Sequence, residues 1–274
     1  MPNAADIPAL IATISAPRLN SYRAFFQPQT DEELLAIYRW HEDLCTHFNH
    51  ILKWVEVAMR NGFHVALSAH YGVKGSAGAR DWYHHIQLST HSLESVNKIT
   101  HYANGKPRRP VPTPDDVVAK LTLGFWPALL EVERDASGQR MSWHQVLPVL
   151  VPGHRYPHEA YWRHQANRDA LQARLELCTY LRNRIAHHEP IWKQGALLEE
   201  TKPRHRRVPA VQEPAPSTPA EALARLQLQH TRVMDLLHWL SPAAARLVSQ
   251  DPSFQQGKAL LQAATLQAYR QGQR

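Results

Sequence analysis

The sequence holds only 2 cysteines among 274 residues, and it lacks several features that define other protein classes. Cys45 and Cys178 stand far apart and match no metal-ligand spacing, which argues against a disulfide-stapled domain and a zinc finger. Unpaired thiols favour a reducing compartment, so we predict a cytoplasmic protein. The N-terminus has no basic start typical of a signal peptide, and no run of roughly 18 uncharged apolar residues occurs. We therefore expect neither secretion nor a membrane partner.

Strand and cofactor motifs are also missing from the sequence. No segment has the alternation or turn chemistry of a hairpin, and no internal repeat is visible. There is no Walker loop, no GxGxxG and no cluster of metal ligands, which weighs against a nucleotide-modifying or metal-dependent enzyme. We expect no cofactor and no bound metal.

What the sequence has in excess is positive charge. Lysine and arginine (31) outnumber aspartate and glutamate (24), giving a net charge of +7, and 18 histidines add to it as the pH falls. Such a surface attracts nucleic-acid phosphates or anionic membranes, although many basic proteins bind neither.

Apolar residues recur with helical spacing through most of the chain. From Asp31 to about His70 they follow a three-to-four-residue rhythm with one gap, at His41. Thr30 precedes three acidic residues and is a typical N-cap, so one long helix is predicted, with Gly62 as the point where it could break. Further helices are predicted over about 86–103, 114–134, 158–188, 223–240 and 253–270.

Local signals set several boundaries. Thr113, Pro114 and Asp116 form a helix-start signal, and Pro190 should end the preceding helix at Glu189. Residues 135–156 look irregular, and 202–219 read as a basic, then proline-rich linker. The predicted class is an all-α helical bundle with auxiliary helices and a proline-rich insert. We divide it into a helical domain (1–240) and a C-terminal helical extension (241–274).

The stretch LRNRIAHHEPIW (181–192) carries an unusual set of polar residues. With about 100° per helical residue, Arg182 lies at the edge of the apolar stripe and should be at least half buried, which calls for an acidic or phosphate partner. Asn183 and His187 are spaced i,i+4, so their side chains can touch. His187 faces away from the stripe and cannot be an ordinary core histidine.

Three interpretations of this stretch remain open from the residues alone. In the first, the basic groups at the helix C-terminus simply complement the helix dipole. In the second, the same groups bind phosphates. The third, a zinc site, is less favoured because the HHE triplet lacks the spacing of zinc ligands. A second basic stretch, VEVAMRNGF (55–63), places Glu56 and Arg60 at i,i+4. Either they form a surface ion pair, or Glu56 orients Arg182 or another basic group across the bundle.

Arg182-Asn183-x3-His187 resembles the R-x4–6-H motif of HEPN domains. The context LCTYLRNRIAHHEPIW, with ISAPRLNSYRAFF (14–26), VEVAMRNGFHVAL (55–67) and LTLGFWPALL (121–130), is similar to the Abi-like (abortive-infection) family of bacterial HEPN proteins. The resemblance implies a HEPN-like bundle that dimerises through the Arg182–His187 face. It also implies a metal-independent endoribonuclease of the abortive-infection or toxin–antitoxin type, acting in antiphage defence and restrained by an antitoxin made of protein or RNA.

For this activity the residue types suggest roles. His187 would be the general acid or base, Arg182 would stabilise the phosphate, and Asn183 would orient one of them, with Glu56, Arg60 and His188 in support. The residues expected to bind RNA are Arg184, Arg108, Arg109, Arg204, Arg206 and Arg207. The alternative is a non-catalytic RNA-binding or protein-interaction module on the same scaffold.

Overall fold

The computed structural model describes residues 4–72, 80–203 and 208–273, which form an almost wholly helical protein. The α-helices are α1 (Ile7–Ile14), α2 (Ala16–Phe26), α3 (Asp31–Tyr71), α4 (Thr90–Thr100), α5 (Pro114–Lys120), α6 (Phe125–Ala128), α7 (Trp143–Leu150), α8 (Glu159–Arg163), α9 (Gln165–Ala186), α10 (Pro219–Leu240), α11 (Pro242–Gln250), α12 (Pro252–Ala259) and α13 (Ala263–Arg270). Short 3-10 helices cover Ala4–Asp6, Trp82–His84 and Leu129–Glu131. The all-α prediction is confirmed, and none of the described helices is long and apolar enough to cross a bilayer.

Helix α3 is the central element, and the prediction of one long helix is confirmed. It has 41 residues, and the Thr30 side chain caps it by accepting a hydrogen bond from the Glu33 N–H. It runs through Gly62 without a break. A Cβ at Gly62 would lie 3.0 Å from Leu150 Cδ1, so glycine lets α7 pack closely here. Around α3 pack α2, α7, α9, α10 and α13.

The middle of the chain departs from the predicted boundaries. The predicted helix over 86–103 is shorter, covering α4 only, and the predicted helix over 114–134 is wrong beyond Lys120. The capping box of Thr113 and Asp116 is present, as expected. A continuous helix would need a main-chain donor at Pro127, which has none, so the chain turns at Leu121 and restarts as α6.

Two further predictions, for residues 135–156 and for the helix 158–188, are wrong. Residues 135–156 were expected to be irregular, yet they contain α7, whose apolar side buries Trp143, Val146, Leu147 and Leu150 despite Pro148 within the helix. The predicted helix 158–188 is two helices, because His164 between α8 and α9 has extended backbone angles.

The structure has one very small two-stranded sheet, for which the sequence carries no signal. Strand β1 (Leu197–Leu198) pairs antiparallel with β2 (Val211–Glu213), which lies inside the segment predicted to be a linker. Strands of two and three residues are too short to produce a period in the sequence. The hairpin is fastened to α10 by Arg225, whose Nη2 lies 3.1 Å from Glu213 Oε2.

The C-terminal residues pack against α3. The predicted single helix 253–270 is wrong, because α12 and α13 are separated by a turn that buries Leu260 and Leu261. Trp40 Nε1 donates to the Leu260 carbonyl at 2.9 Å, and the Tyr269 hydroxyl donates to Asp43 at 2.6 Å. The proposed division at residue 240 stays a prediction, while Leu261 and Tyr269 contribute to the same core as α3.

A pair of buried histidines lies under α12. His47 and His230 stack with their Nε2 atoms 3.0 Å apart. One ring donates and the other accepts, so the accepting ring must be neutral for the contact to form, and the two rings cannot both be protonated. A Cβ at Gly257 would lie 2.0 Å from His47 Nδ1, which makes glycine necessary where α12 crosses this pair.

Folding stability should therefore fall as the pH drops from 6.5 towards about 4. Burial lowers the pKa of both His47 and His230 to about 4, whereas the unfolded histidines titrate near 6.5. Between pH 6.5 and about 4 the unfolded chain binds protons that the folded chain does not. The contribution of the two histidines to the free energy of unfolding is therefore fully present above pH 6.5 and is lost as the pH falls towards 4. Each histidine can account for roughly 3 kcal/mol at most.

Urea unfolding above and within this pH window measures the effect. The double variant His47→Leu/His230→Leu removes both partners and leaves no buried polar group unsatisfied, so its stability should depend less steeply on pH. The exposed His91→Leu is the matched control and should retain the wild-type slope. Equal slopes for wild type and double variant would contradict the assignment.

Candidate functional site

The RNRIAHHEP segment forms the end of α9 and the turn that follows. Helix α9 ends at Ala186, three residues before the predicted end at Glu189, and His187 is its C-cap with φ −93° and ψ 9°. The next residue, His188, has φ 54°, in the left-handed region that non-glycine residues rarely adopt. This turn leaves both His187 and His188 exposed, so the prediction that His187 is not a core residue is confirmed.

The predicted catalytic residues belong to the same helix end, but no described contact joins the Arg182 and His187 side chains. Arg182 is half-buried, and its Nη1 donates to Asn183 Oδ1 at 3.3 Å. Asn183 is exposed, and its main-chain carbonyl accepts from the His187 N–H at 2.9 Å. The structure thus pairs the Asn183 amide with Arg182, and its link to His187 runs through the main chain.

The expected acidic partner of Arg182 is not seen. Among the described residues no carboxylate forms an ion pair with this guanidinium, so its remaining N–H groups are free for a ligand. Glu56 is half-buried on α3 and makes no hydrogen bond to Arg182 within the described ranges. Arg60 donates to the Ala119 carbonyl at 3.4 Å, so it ties α3 to α5.

Arg184, predicted to bind RNA, holds the turn together. Its Nη1 donates to the Tyr180 hydroxyl at 2.6 Å, and its Nη2 donates to the Pro190 carbonyl at 2.8 Å. Its Nε lies 3.7 Å from Glu189 Oε2. These contacts occupy most of the guanidinium and fix the direction in which the chain leaves α9.

A buried histidine supports the turn from below. His41, the residue that interrupts the apolar rhythm of α3, is 1% exposed, and its Nε2 accepts from the Ile191 N–H at 3.1 Å. Because Nε2 accepts, the neutral ring carries its proton on Nδ1, which lies 2.9 Å from the Tyr22 hydroxyl. Cys45 Sγ lies 3.2 Å from the same Nε2, and burial raises the pKa of this thiol to about 12.

The surface above this support is an open groove of about 580 Å³, here named the His187 groove. It is lined by Pro17, Arg18, Ser21, Arg184, His187, His188, Glu189, Pro190, Lys193, Gln194 and Gly195. Arg18 Nη1 donates to the His188 carbonyl at 2.9 Å, so α2 borders the groove directly. Its permanent charges are three cations and one carboxylate.

Sequence reasoning missed two of these cations, Arg18 and Lys193. Lys193 is three residues beyond Pro190, so its closeness to the motif in the sequence is a signal that could have identified it. Arg18 lies within the ISAPRLNSYRAFF stretch that carried part of the resemblance, but its contact with His188 spans 170 residues. No local pattern indicates such a contact.

None of the other arginines predicted to bind RNA is found among the described residues that line the His187 groove. Arg108 donates to the carbonyls of His101 at 3.1 Å and Lys98 at 3.2 Å, and neither it nor Arg109 lines the His187 groove. Arg204, Arg206 and Arg207 lie outside the described residues.

The protein is thus an all-α bundle in which the histidine of an R-x4-H motif is exposed and lines a basic groove, while the arginine of the motif is half-buried and lies outside the lining. Comparison with family models places the chain more closely: the Abi-like protein model matches residues 10–193, about two thirds of the chain. The chain belongs to the Abi-like family, which suggests a role in abortive infection. Searches of curated proteins and of solved structures found no match.

Replacing His41 with leucine should loosen the turn that carries His187. The Ile191 N–H would lose its buried acceptor, at a cost of about 1–3 kcal/mol in unfolding free energy. Hydrogen exchange read by mass spectrometry should show faster exchange in peptides covering 187–193. His91→Leu, at an exposed histidine of α4, is the matched control, since it removes an imidazole and leaves the acceptor at His41 Nε2 in place. The role of His41 would be refuted by unchanged exchange in 187–193.

Proposed function

We propose that the protein is a metal-independent endoribonuclease of the HEPN type, acting in abortive infection as the toxin of a toxin–antitoxin pair. The observation that carries this proposal is the exposure of His187 at the edge of a groove bordered by Arg18 and Lys193. An imidazole open to solvent among cations is suited to proton transfer at a phosphodiester.

The chemistry uses the nucleophile that RNA itself contains. The 2′-oxygen forms a bond to the adjacent phosphorus, the bond from phosphorus to the 5′-oxygen breaks, and the products end in a cyclic phosphate and a 5′-hydroxyl. His187 accepts the 2′-hydroxyl proton or donates a proton to the leaving 5′-oxygen. Arg182 stabilises the charge that develops on the phosphoryl oxygens. Asn183, as acceptor for Arg182, orients the guanidinium.

Two further partners belong to the proposal. A second copy of the chain would cover the Arg182–His187 face and bring a second motif to the same cleft. A neutralising antitoxin would shield the groove until infection. Sedimentation velocity of the purified protein tests the first point, and a sedimentation coefficient of a monomer at micromolar concentration would contradict it.

The cleavage test uses purified protein, freed of any inhibitor, with labelled RNA in EDTA. Wild type should cut, whereas His187→Ala should lose activity by about 10²–10⁴-fold because the proton-transfer group is gone. Arg182→Ala should lose about 10²–10³-fold because the transition-state charge is no longer neutralised. DNA of the same sequence should stay intact, since it has no 2′-hydroxyl.

Two exposed residues away from the groove serve as matched controls. His91→Ala on α4 and Arg246→Ala on α11 remove the same chemical groups and should retain wild-type cleavage. Equal cleavage by wild type, His187→Ala and Arg182→Ala would refute the assignment and indicate a contaminating nuclease. If wild type binds RNA with strong salt dependence and never cuts it, the non-catalytic RNA-binding module is the correct function.

A further inference from the structure

The three permanent cations of the His187 groove differ in how many hydrogen bonds and ion pairs they make within the protein. Arg184 is occupied by Tyr180, Pro190 and Glu189, so it contributes to the structure of the turn. Glu189 is the one carboxylate in the lining, and it lies against Arg184. The positive charge that faces the groove therefore comes from Arg18 and Lys193, with the two histidines adding to it when protonated.

Arg18 is exposed but held in place. One of its N–H groups donates to the His188 carbonyl, which the left-handed backbone at His188 turns towards α2. A second contact, with the Tyr38 hydroxyl on α3, helps to orient the planar guanidinium. These two contacts use part of its five N–H donors, and the rest can bind a ligand. A guanidinium held beside the residue that follows His187 loses little freedom on binding a phosphate.

Helix α2 keeps a fixed relation to the turn through a second contact. Tyr22, one helical turn after Arg18, lies against His41, and His41 accepts the Ile191 N–H. Phe25 also stacks on Trp192, with ring centroids 4.6 Å apart. The α2 helix and the 187–192 segment are therefore joined at both the surface and the core.

Lys193 is the second cation of the groove lining, and the fold leaves it without a partner among the described residues. It is exposed, and its ammonium makes no hydrogen bond or ion pair with any described residue. Its main-chain N–H donates to the Pro190 carbonyl at 3.2 Å, which fixes its backbone next to the turn. A lysine without a protein partner in a groove is well suited to contact a backbone phosphate as a point charge.

We infer that Arg18 and Lys193 form a phosphate-binding subsite that holds the sugar–phosphate backbone of single-stranded RNA next to His187. The inference rests on the proposed function for the identity of the polyanion. It assigns the backbone contact to α2 and the segment after α9, whereas the sequence had suggested Arg108 and Arg109 among others. Such contacts fix the strand in position without reading its bases, so binding should be indifferent to sequence.

The test measures binding separately from cleavage. A fluorescent single-stranded 2′-O-methyl RNA has no 2′-nucleophile and stays whole even with an active nuclease, so anisotropy reports binding alone. Arg18→Gln and Lys193→Gln should each weaken binding by about tenfold at low salt. Each should also reduce the slope of log affinity against log salt concentration by about 0.7, the value for one phosphate contact on a single strand.

Matched controls carry the same charge changes elsewhere. Arg246→Gln on α11 and Lys53→Gln on α3 replace exposed cations outside the groove and should bind as wild type does. Arg18→Lys keeps the charge and should keep the salt slope. Thermal melting checks folding, and if Arg18→Gln melts early, Lys193→Gln carries the test because its side chain supports no described contact.

The results separate this inference from the proposed function. Losses at Arg18 and Lys193 without any RNA cleavage would support the subsite and overturn the nuclease. Unchanged binding in both groove variants, equal losses in the Arg246 and Lys53 controls, or a loss confined to Arg108→Gln would each overturn the subsite. Absence of any binding to the probe would overturn it as well.

Discussion

The hydrogen bond from the Ile191 N–H to His41 Nε2 is the contact on which the candidate site depends. It joins the centre of α3 to the chain directly after the motif, across 150 residues, in a place closed to water. A buried main-chain donor without an acceptor is costly, so the 187–192 segment has one low-energy position. The exposed histidines, the groove and the contact between Arg18 and His188 all follow from that position.

The way α9 ends determines what the site offers to a ligand. Pro190 prevents further helix, but the left-handed residue His188 ends it earlier and turns the chain outward. Arg184 then fastens the turn through the Pro190 carbonyl. The two arginines consequently have different roles. Arg182 has N–H groups without a protein acceptor among the described residues, whereas Arg184 uses its N–H groups to bond Tyr180 and Pro190. Arg182 and Arg184, two residues apart in the sequence, thus differ in role because the helix directs their side chains differently and only Arg184 bonds to the turn.

Much of the fold was predictable because its signals are local. The Thr30 and Thr113 caps and the apolar rhythm of α3 act within a few residues, and the structure has these elements as predicted. Helix α7 was not predictable, since it is buried against α3, while Pro148 within it and Gly138, Pro152 and Gly153 around it argued against a helix. At the site, the exposure of His187 followed from helical angles. The gap at His41 was visible, but its bond to Ile191 was not, and Arg18 reaches the groove only through the tertiary fold.

The neighbouring residues Trp40 and His41 link two distant parts of the chain to one point on α3. Trp40 bonds to the Leu260 carbonyl in the turn before α13, and His41 bonds to Ile191 beneath the motif. Proteolytic trimming of the C-terminal helices would therefore uncover the indole beside the histidine that supports the turn.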